Sequence, residues 1–369
     1  MKFSYKVIVF SFILIAINIS CSKKSDPAPS TSSYFPPSSG TWETVTPASL
    51  GWNETAVTDL VSYLSSTNTR AFIVLKDGKI VIEEYMGAQL TSSAAFTATS
   101  NWYWASAGKT LTAAIVGIAN AKGKINLDAK TSDYISTDWT SETLDQENKI
   151  TVRNQLTMTT GLDDYNGGAT GDNDCFTPGC LIYKADAGTR WAYHTGAYTV
   201  LDQVLQAATG QNTTTYGNAQ LFSKIGMDGS FIMTGENNVF YSTARSAARF
   251  GLLLLNQGVW NGTTLIPSSY FNLMTTTSQN MNLSYGYLTW LNGKASFMTP
   301  GSQTVYPQSL TPNAPADMFA AMGKNGQMIN VVPSKNLVVI RLGDAPDTNL
   351  VPFTYQNDLW AKLNAVITN

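Results

Sequence analysis

An α+β fold is what the order of elements in this chain predicts, and three observations carry it. Near the N-terminal end, "AFIVLKDGKIVIEEY" sets two β-branched runs on either side of Asp77-Gly78, a tight-turn signal for a β-hairpin. From about residue 106 to 280 helical periodicity dominates. Strand patterns then return at 317–322, 326–332 and in "LVVIRLG", before a closing helical segment, "PFTYQNDLWAKLNAVI". Strands and helices are segregated along the chain, which argues against alternating βαβ units. The expected architecture is one antiparallel sheet made from both chain ends (41–105 and 284–369), flanked by terminal helices. A helical part, 106–283, is inserted between them. A cleft is expected where the two parts meet.

The elements follow in order. Residues 53–66 read as a helix, because Asn53 is a good N-cap and Val57, Leu60, Val61 and Leu64 form one apolar stripe. After the hairpin comes a Ser/Ala/Thr-rich loop. A helix then begins near Ser106 and stops near Gly123, a C-terminal cap. "AYTVLDQVLQAATG" places Val200, Leu201, Val204 and Leu205 on one face, and "STARSAARFGLLLLNQG" is a further helix.

Composition narrows the function classes. The 369 residues are 43% hydrophobic, 11% aromatic and only 13% charged, which fills a real core. Net charge is −2, so no basic footprint for nucleic acid is present. The chain has one histidine, His194, and three cysteines. A His-rich zinc site and a four-cysteine metal site are therefore excluded, and any Ser-His-Asp triad must use His194.

The N-terminus reads as an export signal over 1–20. Lys2 and Lys6 precede an apolar run at 7–19, which is short for a bilayer span. The run ends at "INISCSKKSD", where Ser20 before Cys21 is similar to a lipoprotein processing site. Cys21 then becomes a lipidated first residue that anchors the protein to a membrane, facing the periplasm or cell surface. Residues 21–40 are Ser/Pro-rich and read as a flexible tether to a domain spanning 41–369. Export implies an oxidising compartment, where Cys175 and Cys180 in "DNDCFTPGC" can bridge around the Pro178-Gly179 turn. Asp172 and Asp174 in the same stretch fit no known calcium loop.

Three short stretches carry candidate chemistry. Ser106 stands three places before Lys109 as the alanine-rich helix begins. The spacing alone does not decide, since Ser20 and Lys23 share it. At a helix N-terminus, however, the dipole and free N–H groups favour developing negative charge. A lysine one turn on lies on the same face. Free lysine has a pKa of roughly 10.4, so Lys109 needs burial or a neighbouring cation to act as a base. Trp102, Tyr103 and Trp104 are expected to supply apolar cover. Tyr193, just before a helix, offers a hydroxyl that can shuttle protons. Gly323 and Gly326 flank Lys324-Asn325 where a strand starts, so the backbone there can approach a ligand and join Ser106 N–H in an oxyanion hole.

In this order, Ser106-Ala-Gly-Lys109, Tyr193-His-Thr195 and Lys324-Asn-Gly326 resemble the signature of the serine β-lactamase and penicillin-binding-protein superfamily. "ITVRNQLTMTTGLDDY", "ARSAARFGLLLLNQGVWNG" and "YGYLTWLNG" add to the likeness, which covers roughly 45–365. It is nearest to the class C-like branch, with its carboxylesterases and 6-aminohexanoate-oligomer hydrolases. The resemblance implies a β-lactamase/transpeptidase-like fold. It also implies Ser106 as acylated nucleophile, Lys109 as its base partner and Tyr193 as a proton carrier. Backbone N–H groups of Ser106 and Gln327 would bind the oxyanion, and Thr195, Lys324, Asn325 and Gly326 would face substrate. No metal or organic cofactor is implied.

Two departures bear on substrate. Thr195 stands where β-lactamases usually carry asparagine, and Asn325 replaces the threonine of Lys-Thr-Gly. The expected function is hydrolysis of a small ester or amide through an acyl-Ser106 intermediate, with a small-molecule ester, amide or peptide as substrate. The alternatives are a D-alanyl-D-alanine carboxypeptidase or β-lactamase, and a non-catalytic surface-anchored binding protein. His194, between Tyr193 and Thr195, is expected to face away from Ser106.

Overall fold

A computed structural model describes residues 1–2, 33–164, 173–349 and 351–368. Its strands in chain order are β1 (Thr69–Lys76), β2 (Lys79–Tyr85), β3 (Asn101–Tyr103), β4 (Ser230–Thr234) and β5 (Asn237–Thr243). They continue as β6 (Val259–Trp260), β7 (Thr263–Thr264), β8 (Trp290–Leu291), β9 (Phe319–Gly323), β10 (Gln327–Val332) and β11 (Leu337–Gly343). The main sheet runs β2-β1-β11-β10-β9-β8 with antiparallel neighbours throughout. Asp77 (φ 52°) and Gly78 (φ 84°) are both left-handed, which closes β1 onto β2 with Lys76 opposite Lys79.

Both faces of this sheet are covered, so its central strands are apolar on both sides. Ala71, Ile73 and Leu75 of β1, with Val338 and Ile340 of β11, face the helical part. Phe72, Val74 and Val339 face the two terminal helices, Glu54–Ser66 and Phe353–Val366. Leu60, Leu64, Leu359 and Leu363 of those helices are fully buried, which stabilises the layer by roughly 2 kcal/mol each. The first helix is capped as its sequence predicts, with the Asn53 side chain accepting from Ala56 N–H.

Two expectations are corrected. The segment 106–283 is not purely helical, because β4 and β5 lie within it and pair with β3 to form a three-stranded sheet. Asn101–Tyr103 is too short to signal a strand, and its partner β5 is far along the chain. The stretch 21–40 is also not all tether. Tyr34 N–H donates to Asp77 O, Phe35 packs edge-on against Trp260, and Arg249 donates to the carbonyls of Pro36 and Pro37. The compact unit accordingly runs Ser33–Asn369. Ser20 and Cys21 lie outside the described residues. Among the described residues no helix is long and apolar enough to cross a membrane.

Candidate active site

Ser106 sits in a single 3-10 turn, Ala105–Ala107, that leads directly into the helix Gly108–Ala121. Ala105 is left-handed (φ 48°), a strained conformation for a residue with a side chain. Its small methyl limits the penalty, and the sharp turn sets Ser106 at the helix entrance. Lys109 Nζ donates to Ser106 Oγ at 3.0 Å. Lys109 is only 2% exposed, and burial brings its ammonium pKa down to about 7. The Asp174 carboxylate opposes this shift and the Lys324 ammonium adds to it. The cover over Lys109 comes from Tyr193 and Tyr198, whose ring centroids lie 5.2 and 4.5 Å from Nζ. Trp104, expected to supply cover, turns its N–H to Ser242 Oγ.

Tyr193 precedes the helix Thr195–Thr209, which starts two residues before the sequence suggested. The loop is held by Asn173, whose side chain accepts from Thr195 N–H at 3.0 Å and donates to Tyr193 O at 3.1 Å. Gly196 N–H donates to Asn173 O. Only glycine fits there, because a Cβ on Gly196 would meet Cys175 O at 2.0 Å. Cys175 and Cys180 are bonded, with Cα atoms 5.9 Å apart. The bridged loop therefore packs on the backbone that carries Tyr193. Burial pushes the Tyr193 hydroxyl well above the usual tyrosine range, while its hydrogen bond with Ser106 works the other way. Among the described residues no cluster of three metal-ligating side chains occurs, and Asp172 lies outside them.

The third stretch is a turn between β9 and β10. Gly323 closes β9 directly against the serine turn, and a Cβ on it would stand 3.0 Å from both Ser106 N and Ala107 N. Glycine thus keeps open the space before these N–H groups. Asn325 is left-handed (φ 62°), and its amide donates to the Tyr103 hydroxyl. Gln327 opposes Gly323 in the β9–β10 pairing, and its amide clamps Gly343 by donating to O and accepting from N–H.

A cavity of about 570 Å³ joins these parts. Ser106, Tyr193, Thr195 and Lys324 line it. Asn325, Gly326 and Gln327 do not, and instead shape the turn behind Lys324. His194 is also missing from the lining although both its neighbours are present, which agrees with a side chain facing the other way.

Two contributors escape sequence reasoning. Arg341 is fully buried in β11, and its guanidinium donates to the carbonyls of Thr67, Asn325, Gly326 and Asp344 and to Thr69 Oγ1. It fixes the Lys324 turn from beneath. A charge inside the apolar "LVVIRLG" was the available signal. Tyr198, whose hydroxyl shares a 2.9 Å hydrogen bond with Thr112, had no signal beyond its helical position.

With this geometry in place, comparison with known proteins is direct. The sequence model of the β-lactamase family matches residues 66–349, so the chain belongs to the β-lactamase family. It is a hydrolase of that family. It is 26% identical over 308 residues to an uncharacterised protein of Alkalihalophilus pseudofirmus, covering 76% of this chain and 85% of that one. A candidate 6-aminohexanoate-dimer hydrolase from Bacillus anthracis superposes with a TM-score of 0.65 at 17% identity, over 90% of this chain and 89% of that one. EstCE1, a hydrolase with promiscuous acyltransferase activity, gives 0.65 at 12% identity, over 87% and 99%. At such identities these structures share the fold.

Proposed function

We propose that the cleft hydrolyses a small ester or amide through an acyl-Ser106 intermediate. The observation that carries this reading is the 3.0 Å contact from a buried Lys109, with a pKa near 7, to Ser106 Oγ. Neutral Lys109 accepts the Ser106 proton as Oγ attacks the substrate carbonyl. The backbone N–H of Ser106, in front of which Gly323 keeps space open, holds the oxyanion; Gln327, expected to share this role, lies outside the cleft lining and does not take it. The tetrahedral adduct collapses, the carbonyl–leaving-group bond breaks, and Tyr193 relays the proton to the departing alcohol or amine. Water then attacks the ester carbonyl and gives its proton back along the same pair, releasing the acid and Ser106. Lys324 and Thr195 face the bound substrate, while Asn325 and Gly326 set the turn.

The Lys324 ammonium in the cleft favours one further reading, a D-alanyl-D-alanine carboxypeptidase or β-lactamase acting on a carboxylate-bearing substrate. We also propose that Cys21 is lipidated and anchors the chain to a membrane. The apolar run 7–19 and Ser20-Cys21 support this. Loss of the membrane-bound fraction in Cys21→Ala tests it.

The function is tested by p-nitrophenyl butyrate hydrolysis with the full chain beside Ser106→Ala. Turnover that falls at least about 10³-fold in a folded Ser106→Ala protein is the expected result. Unchanged turnover in that variant contradicts the proposal.

A further inference from the structure

We infer that the cleft carries an elongated apolar subsite for the acyl chain, so that its substrates are esters or amides of uncharged, medium-length aliphatic acids. This rests on the acyl-Ser106 reading. The subsite is the inner face of the three-stranded sheet. Cross-strand partners project to the same side, as do residues two apart on one strand. Tyr103 opposes Tyr241, Val239 lies two residues before Tyr241, and Ile232 opposes Val239. These four side chains therefore share one face. Tyr103, Tyr241 and Val239 line the cavity, Asn237 and Thr234 on the same face close its far end, and Ile232, 49% exposed, stands beside Val239 outside the lining.

The wall begins three residues before Ser106 and crosses three strands, a span of about 10 Å. That is the reach of a medium-length alkyl chain. Leu90 (42% exposed) and Val351 add aliphatic surface to the same cavity.

Charge selects against an anionic chain. Besides Lys324, the charged lining residues away from the serine are Asp164 and Asp174. Asp164 is already paired with Arg190 at 2.6 Å. Among the described lining residues there is no arginine to take a carboxylate in a two-pronged grip. A carboxylate carried along the wall would face the two tyrosine rings and Val239 and lose its hydration there.

Each buried methylene is worth about 0.8 kcal/mol, or roughly a fourfold change. The test is kcat/KM for p-nitrophenyl acetate, butyrate, octanoate and the half-ester of suberic acid, which ends in a carboxylate. It is run on the full chain, on Val239→Asp and on the surface variant Ile232→Asp. Ser106 labelling by a p-nitrophenyl phosphonate is scored in parallel. The expected result is a rise of at least about tenfold from acetate to octanoate, a tenfold or greater preference for octanoate over the half-ester, and collapse of the octanoate/acetate ratio in both variants. A flat or falling chain-length profile with Ser106 labelled overturns the subsite alone. A rising profile that Ile232→Asp and Val239→Asp leave intact also overturns it, because the chain then binds elsewhere. Failure of Ser106 to label, with hydrolysis persisting in Ser106→Ala, overturns the underlying acyl-serine reading instead.

Discussion

Two bases lie buried inside this protein, and they have opposite surroundings. Lys109 is 2% exposed and His194 1%. Burial drives both toward the neutral form, with the lysine brought down to about 7 and the histidine to about 4. Lys109 points its nitrogen at a serine hydroxyl, between two tyrosine rings. His194 has no hydrogen-bond partner on either ring nitrogen among the described residues. Burial makes a base of a group only when a nucleophile shares its pocket. Elsewhere it only makes a neutral group that is expensive to charge.

Substitutions that break this contrast are ordered by expected effect. Lys109→Met removes the base, so turnover should fall at least about 10³-fold in the p-nitrophenyl ester assay. The same change should raise stability. The folded pKa of Lys109 lies below its unfolded value of 10.5, so the unfolded chain binds the extra proton between about pH 7 and 10.5. The burial penalty is therefore full below pH 7 and fades as pH rises toward 10.5. Thermal melts of Lys109→Met should exceed wild type by up to about 4 kcal/mol at pH 6, with the gap closing by pH 10. Equal gaps at both pH values would show that Lys109 is not held neutral.

Tyr193→Phe keeps the ring over Lys109 and deletes the hydroxyl. We expect a loss of about 10²-fold in kcat with little change in melting temperature. A larger loss with anilides than with nitrophenyl esters, whose leaving group needs no proton, would place Tyr193 on the leaving-group side.

His194→Leu gives the smallest change. Activity should stay within about twofold, since the ring does not line the cleft. Stability at pH 7 should hold or rise, because an unpartnered buried polar group costs about 1–3 kcal/mol. The folded pKa of His194 is lowered from 6.5 to about 4, so wild type loses stability as pH falls through that window. His194→Leu should lose less between pH 6.5 and 4 in the same melts.

What the sequence made legible was local. Asn53, Asp77-Gly78 and the continuous apolar runs of β1, β10 and β11 act within a few residues, so their patterns survive in one dimension. The three motif stretches were legible as residue types in order. Their convergence depends on Gly323 pressing against the serine turn and on Asn173 holding the Tyr193 loop. Such contacts pair backbone with backbone or with one distant side chain, and no periodicity marks them. The β3–β5–β4 wall was missed for the same reason, since β3 has three residues and its partners come from the region that otherwise reads as helix. Arg341 serves backbone carbonyls, which every sequence offers equally.

The central claim, that a neutral Lys109 activates Ser106, is tested most directly by the pH dependence of covalent trapping. The second-order rate of modification by a p-nitrophenyl phosphonate would be followed from pH 5 to 10, with the site mapped by peptide mass spectrometry. The account predicts modification at Ser106, with a rate that rises to a plateau around a midpoint near 7 and is lost in Lys109→Met. Modification at another residue, or a midpoint near the ordinary lysine value of roughly 10.4, would contradict it.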